Sequence, residues 1–238
     1  MAIILNIESA TSVCSVALSQ DGYLLESKES NEDKSHAKLL TVFIDELLKN
    51  NNIKPKDINA VSVSKGPGSY TGLRIGVSTA KGLCYATDSK LIAVNTLQAM
   101  AFGIIWKIQN NEIKISDTEN VLLCPMIDAR RMEVYSAIFN LNGDSIREVK
   151  AEIIETNSFA ETLKNNKILF FGDGSEKLTN TIIHKNAIFI NGFNPSAEYM
   201  ISSVYEAYKK NDFVDLAYFE PFYLKDFIAT KPKKNIFK

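Results

Sequence analysis

The chain is poor in the residues that most often carry chemistry. In 238 residues it has two histidines, His36 and His184, and three cysteines, Cys14, Cys84 and Cys124. Neither histidine has a second histidine or a cysteine at ligand spacing, so the pattern of a zinc site is missing. No Ser/His/Asp or Cys/His set rises above chance. No apolar run approaches the ~20 residues needed to cross a bilayer. A formal net charge of −1 leaves no global field to draw the chain to nucleic acid or membrane. The cysteines are scattered, odd in number and set among apolar residues. They read as buried free thiols in a reducing compartment, and the expectation is a cytoplasmic protein. Ala2–Ile7 is apolar, but it is too short and lacks the basic start of a leader.

What is present is ordinary in bulk and specific in one place. Apolar content of 45% and charged content of 23% suit a globular domain, and the length allows one large domain or two lobes. The specific place is Val61–Leu83. It reads as a short apolar strand, then a turn holding Gly66, Gly68, Ser69, Thr71 and Gly72, then a helix over about 71–86. Glycines let backbone N–H groups converge, and a helix N-terminus adds a positive dipole end, so the layout is that of an anion-binding loop. It is not a Walker A loop, because no Lys-Ser/Thr pair follows the glycines. The spacing Gly-x-Gly-x-x-x-Gly is not the dinucleotide fingerprint either. Arg74, inside the helix, has the fork to reach a phosphate or a carboxylate.

The remaining sequence punctuates into two similar halves. Strands are predicted at 2–8, 14–19 and 23–28, with Asp21-Gly22 as a hairpin signal. A helix follows, with Ser35 as N-cap and Leu39, Leu40, Phe43, Ile44, Leu47 and Leu48 at helical spacing. A strand at 58–64, the glycine loop with its helix, a strand at 91–94 and a helix at 96–108 complete the first half. A polar stretch from Gln109 to Asn120 marks the boundary, giving lobes 1–108 and 109–238. The second half reads as strands at 121–128, 133–140 and 146–154, a helix at 158–164, and a strand at 168–172. A helix at 175–183, a strand at 187–191 and a helix at 196–210 follow. Each half begins with a strand ending in an acidic residue, Glu8 or Asp128, and a polar turn. This weak internal repeat predicts two α/β lobes, each a mixed sheet, as in the actin, hexokinase and sugar-kinase class. That is the actin-like (ASKHA) fold, a duplicated ribonuclease H-like unit.

The motifs also carry a family resemblance. Glu8-Ser-Ala-Thr11 with Cys14-Ser-Val-Ala-Leu18, and Gly66-Pro-Gly-Ser-Tyr-Thr-Gly-Leu-Arg-Ile-Gly76 with Ala80-Lys-Gly-Leu83, resemble the TsaB family. So do Ile127-Asp-Ala-Arg-Arg-Met-Glu-Val-Tyr135, Gly172-Asp-Gly174, Pro195-Ser-Ala197 and Pro221-Phe-Tyr-Leu224. The family usually carries Asp where this chain has Glu8. The resemblance implies a non-catalytic subunit that binds and activates a TsaD-type catalytic subunit in threonylcarbamoyl transfer to tRNA adenosine. It also implies a TsaE-type ATPase as a further partner, a homodimer in isolation, and contact with tRNA only through the partner. ATP or ADP and a metal then belong to the partner or to its interface, and no catalytic residue, metal ligand or cofactor is assigned to this chain.

Two sets of residues are singled out. The loops of this fold that hold phosphate in an ATPase correspond to Glu8, Ser9 and Thr11, to Gly66, Gly68, Ser69, Thr71 and Arg74, and to Asp128. They lack the expected glycines beside Glu8 and Asp128 and read as degenerate. The alternative is a nucleotide-dependent ATPase or phosphotransferase of the same fold; a metalloprotease has almost no residues to stand on. The second set is a partner face. The first helix has apolar residues on more than one side, and Gly72, Gly76, Ala80 and Cys84 recur every four residues on the second. His36, Leu39, Leu40, Phe43, Leu47, Gly72, Gly76, Thr79, Ala80 and Leu83 form the expected face, with burial inside the lobe as the competing reading. His184 is expected at a helix end. Lys225, Lys231, Lys233, Lys234 and Lys238 either brush a tRNA backbone or form a solvated end.

Overall fold

A computed structural model describes residues 1–31, 36–115 and 118–225, with the side chains of residues 36 and 37 outside that description. Ser35 therefore lies outside the described residues, as do Lys231, Lys233, Lys234 and Lys238. The first sheet holds β1 (Ile3–Glu8), β2 (Cys14–Gln20), β3 (Tyr23–Ser30), β4 (Ala60–Gly66) and β5 (Lys90–Asn95). The second holds β6 (Val121–Asp128), β7 (Glu133–Phe139), β8 (Ser145–Ile153), β9 (Lys167–Phe171) and β10 (Ala187–Ile190). The strand orders are β3-β2-β1-β4-β5 and β8-β7-β6-β9-β10. In each sheet the first three strands run antiparallel, and the last two join parallel to the first. This is the duplicated actin-like α/β architecture.

The central strand β1 is buried on both faces, as a near-continuous apolar run dictates. Its one interior amide is satisfied by its neighbours. Asn6 Nδ2 donates to Ala17 O at 3.2 Å and to Ser19 Oγ at 3.1 Å, and Asn6 Oδ1 accepts from Ser62 Oγ at 2.7 Å. One buried side chain thus ties β1, β2 and β4 in register. The hairpin signal acts as expected: Asp21 and Gly22 both take positive φ, 52° and 85°.

Two helices cover one face of the first sheet, α1 (His36–Asn50) and α2 (Tyr70–Thr87). From α1, Leu40, Ile44, Leu47 and Leu48 meet Leu5, Val16, Leu18 and Val61 in the core. Fully burying one such side chain contributes about 2 kcal/mol. The other face is covered from the far end of the chain. α5 (Ile201–Lys209) and the 3-10 turn before it bring Met200 and Val204 onto Ile4, Ala60, Ile92 and Val94. Conversely α3 (Thr96–Gln109) sends Leu97, Met100, Ala101 and Ile104 into a cluster with Leu123, Phe139 and Phe171 of the second sheet. A division at 108/109 therefore does not describe how the lobes share their helices.

Two predicted helices change. Over 175–183 only a 3-10 turn forms, Glu176–Leu178, because Thr179, Thr181, Ile182 and Ile183 are β-branched and resist helix. His184 therefore sits in a turn, not at a helix end, and its Nδ1 accepts from Asn186 N at 3.1 Å. Over 196–210 the first turn is 3-10, capped by Ser196, and the α-helix begins at Ile201. The short α4 (Ala160–Asn165) starts two residues later than expected.

Residues 211–225 have no regular structure, yet they are firmly attached. Val214 N donates to Leu91 O at 3.0 Å, and Phe222 N donates to Lys65 O at 2.7 Å. Lys81 Nζ reaches Ala217 O and Phe219 O. Tyr223 stacks near Tyr70 with ring centroids 4.9 Å apart, and Lys225 pairs with Glu133 of β7. This strap crosses α2 and the glycine loop and ends on the second lobe.

Candidate functional site

The glycine loop is filled by its own chain. Ser69 N donates to Ala10 O at 2.6 Å, and Gly72 N donates to the Ser69 hydroxyl at 3.3 Å. Ser9 Oγ donates to Gly72 O at 2.9 Å, and Ser9 N donates to Ser64 Oγ at 3.3 Å. The glycines explain why this packing is open to this sequence. A Cβ on Gly68 would meet Ala10 O at 2.3 Å, one on Gly72 would meet Ser9 O at 2.1 Å, and one on Gly76 would meet Ser9 Oγ at 2.2 Å. The turn after β1 therefore packs directly against the glycine loop. Gly66 takes φ 109°, with Phe222 O of the strap against it.

Glu8 ends β1 beneath this turn with no solvent exposure. Its Oε1 accepts from Ala10 N at 2.7 Å, and its Oε2 has no partner of hydrogen-bond geometry. Burial pushes its pKa up to about 7, partly offset by the Ala10 N–H, the Ser64 hydroxyl and the Ser9 N–H. Thr11 is buried and its Oγ1 accepts from Val13 N at 3.3 Å. Thr71 and Arg74 are exposed on the first turns of α2. Arg74 lies 4.4 Å over the Tyr70 ring and donates to Tyr223 Oη at 3.1 Å, which raises its already high affinity for a proton. The hydroxyl, not an anion, takes the fork.

Asp128 joins a different group. It stands exposed at the end of β6, pairs with Lys177, and caps Arg130 N at 3.0 Å. Its own N–H donates to Asp173 Oδ1 at 3.0 Å, and burial raises the pKa of Asp173 above the ordinary carboxylate value. Gly174 packs closely against the backbone of Ile127 and Asp128. Arg130 and Arg131 both take positive φ, 71° and 53°, in this turn. Each costs about 1–2 kcal/mol for an L residue. Among the described residues no group of three His, Cys, Asp or Glu could hold a metal ion.

The partner face divides sharply. Gly72, Gly76 and Ala80 are buried against the Ser9 turn and β4, and Leu40 and Leu47 are core residues. These five are corrected to interior positions, because the small-residue stripe admits the chain's own turn rather than a foreign helix. Leu39, Phe43, Thr79 and Leu83 are half-buried on the outward flank of α1 and α2. The main chain of His36 opens α1, and its side chain lies outside the described residues. Beside them stands Val42, 43% exposed, which widens the apolar face of α1. Two further positions were not singled out by the sequence: Tyr85 is 86% exposed, and a Cβ on Gly82 would have nothing within 4 Å. Gly72 and Gly76, four residues apart, thus face the Ser9 turn, while Gly82, six residues further on, faces away from it.

A cavity of about 580 Å³ opens at the other end of the sheets, by the β2–β3 turn. Tyr23, Phe102, Trp106, Tyr199 and Glu198 line it.

The duplicated mixed sheets define a two-lobe actin-like protein. A family model described as "TsaD: tRNA N6-adenosine threonylcarbamoyltransferase" matches residues 24–231. A Buchnera aphidicola (subsp. Acyrthosiphon pisum) protein called tRNA threonylcarbamoyladenosine biosynthesis protein TsaB is 31% identical, over 69% of this chain and 71% of its own. The Escherichia coli K12 protein of the same name is 28% identical, over 96% of each. YeaZ from Pseudomonas aeruginosa superposes with a TM-score of 0.77 at 23% identity, covering 94% of this chain and all of that one. The chain belongs to the TsaB family, within the wider group that the TsaD model describes.

Proposed function

We propose that this chain acts in tRNA threonylcarbamoyladenosine biosynthesis as a non-catalytic subunit that binds and activates a TsaD-type catalytic subunit. The relatives' names support the pathway. The observation that carries the subunit role is the outward flank of α1 and α2, where Leu39, Val42, Phe43, Thr79, Gly82 and Leu83 leave apolar and small surface uncovered within the chain. The same flank is suited to a second copy, so a homodimer competes with the catalytic subunit for it. ATP, a metal and a TsaE-type ATPase act at the partner or its interface. The loops at Glu8 and Gly72 support this division, because their donors are already used. The reading places the protein in the cytoplasm; among the described residues no helix is long and apolar enough to cross a membrane.

The test is a mixing assay with a TsaD-type subunit, scored by complex formation and by modified tRNA. Phe43→Asp and Gly82→Glu are expected to abolish pairing, while both variants stay folded with a single cooperative melt. Normal pairing by both variants would refute the face. Gly76→Glu is the wrong probe, because its side chain would collide with Ser9 inside the lobe.

A further inference from the structure

We propose that the cavity between the two lobes, walled by Tyr23, Phe102, Trp106 and Tyr199 and flanked by Glu198, binds a small organic cation that carries an apolar or aromatic body. None of the residues that line it belongs to α1 or α2, so the site is independent of the partner face proposed above.

The cavity has about 580 Å³, a size usual for small-molecule sites, which favour the seams between domains. The two sheets bring equivalent turns to it. Tyr23 opens β3 after the Asp21-Gly22 turn, and Asn142 stands in the corresponding turn between β7 and β8. α3 supplies Phe102 and Trp106, and the 3-10 turn ahead of α5 supplies Glu198 and Tyr199. Two of the rings are held in place by the fold. Tyr199 stacks on Phe193 with centroids 5.3 Å apart, and a Cβ on Gly103 would lie 2.6 Å from its ring. Phe102 lies against Gly143, where a Cβ would be 2.4 Å away. That turn is itself fixed by Asn140 Oδ1, which accepts from Asn142 N and Asp144 N at 2.9 Å. Walls ordered in advance spare a ligand much of the cost of immobilising them. The other two rings stand open to solvent, Trp106 by 50% and Tyr23 by 77%.

The charge of the wall has one sign. Glu198 is its single carboxylate, and among the described residues no lysine, arginine or histidine lines it. Ser27 Oγ donates to one Glu198 oxygen, and among the described residues no base pairs with this carboxylate. Lys107 is held by Glu112 at 2.8 Å, with Glu198 acting on it without contact. Burial raises the Tyr199 pKa, and of the charges that act on this ring Glu198, Glu29 and Glu112 stand against Lys107 alone.

The rings and the carboxylate therefore select the same ligand. Aromatic faces are negative and attract a cation, most strongly where it is desolvated. A phosphate or carboxylate ligand would find no compensating base in the wall. A neutral apolar ligand would fill the rings but shut the Glu198 charge away from water without a partner.

The test is isothermal titration of the full chain with benzyltrimethylammonium. Trp106, the one tryptophan of the chain, gives a local fluorescence readout. Saturable heat and a saturable change in Trp106 emission are expected. Benzyl alcohol, which is neutral, and benzoate, which is anionic, should bind at least about 10-fold more weakly. Glu198→Gln keeps an acceptor for Ser27, and should weaken the cation about 10-fold while leaving benzyl alcohol unchanged. Tyr23→Ala and Trp106→Leu should each weaken the cation about 3–10-fold, the second read by heat alone. Should Glu198→Gln fail to fold, Tyr23→Ala, at an exposed turn, carries the comparison. No saturable binding by ~10 mM cation would overturn the proposal. So would equal affinity for benzyl alcohol, or an unchanged affinity in the folded variants. Tighter binding of an arginine-bearing peptide than of the free cation would also overturn it, since the occupant would then be a protein. A chain that binds the cation but does not pair with a TsaD-type subunit refutes the proposed function and spares this site.

Discussion

Two Gly→Ala substitutions on one helix should move stability in opposite directions. At Gly82 the new methyl meets nothing within 4 Å, so only backbone entropy changes. Alanine in a helix interior is favoured over glycine by about 1 kcal/mol, and Gly82→Ala should be stabilised by about that amount. At Gly72 the same methyl would lie 2.1 Å from the carbonyl oxygen of Ser9. An ordinary contact needs more than ~1 Å of additional room, and the neighbour is backbone, held by the Ser9 and Ser69 hydrogen bonds. Overpacking of this kind costs about 1–3 kcal/mol or more. Less the gain in propensity, Gly72→Ala should lose about 2 kcal/mol, leaving the two variants about 3 kcal/mol apart. For a chain of this size each kcal/mol moves the midpoint by about 2–4 °C, so the melting temperatures should differ by roughly 10 °C. Urea titration with a common m-value gives the same quantity independently. A Gly72→Ala protein as stable as Gly82→Ala would show that the Ser9 turn does not pack against the glycine loop.

Glu8 makes stability depend on pH. Its folded value is raised from 4.5 to about 7 by burial, so the folded chain holds a proton that the unfolded chain releases between those limits. Stability should be greatest below about pH 4.5 as far as this group is concerned. It should fall on the order of 3 kcal/mol as pH rises through about 7, and then level. Glu8→Gln should remove that fall, and a wild-type minus variant difference that stays flat between about pH 5 and pH 8 would refute it. The thiols should be silent. Burial pushes Cys14 up to about 11, assisted by the Glu8 charge, and raises Cys84 and Cys124 as well. A thiol reagent at about pH 8 should find almost none in the native protein and all three in denaturant; a rapid native titre would contradict the burial.

Much of the fold was legible because strands announce themselves. Ile3–Glu8 is a continuous apolar run, and Asp21-Gly22 has the chemistry that its turn requires. The order of the two sheets followed from repetition of that pattern. The site was less legible, for reasons of direction rather than composition. A four-residue stripe of small side chains says that something approaches closely, but not from which side. Gly72 and Gly76 admit the chain's own Ser9, while Gly82, on the same helix, faces outward. The strap escaped notice because its bonds are made by main-chain groups of Val214 and Phe222, which no side-chain period encodes. The 175–183 segment looked helical by its spacing, and its β-branched end prevailed.

The exchange of helices between the lobes has a consequence for how the chain is made. During synthesis the first sheet is complete once Asn95 has emerged. Its second face, with Ile4, Ala60, Ile92 and Val94, then waits for Met200 and Val204. At about 5–20 residues per second the ribosome needs roughly 5–20 s to supply them. For that interval an apolar sheet surface is open beside the ribosome, and from the first half of the message only Ala99 of α3 joins that cluster. The nascent first lobe is therefore an expected client of the chaperones that attend emerging chains, and residues made late, around Met200 and Val204, are those that release it.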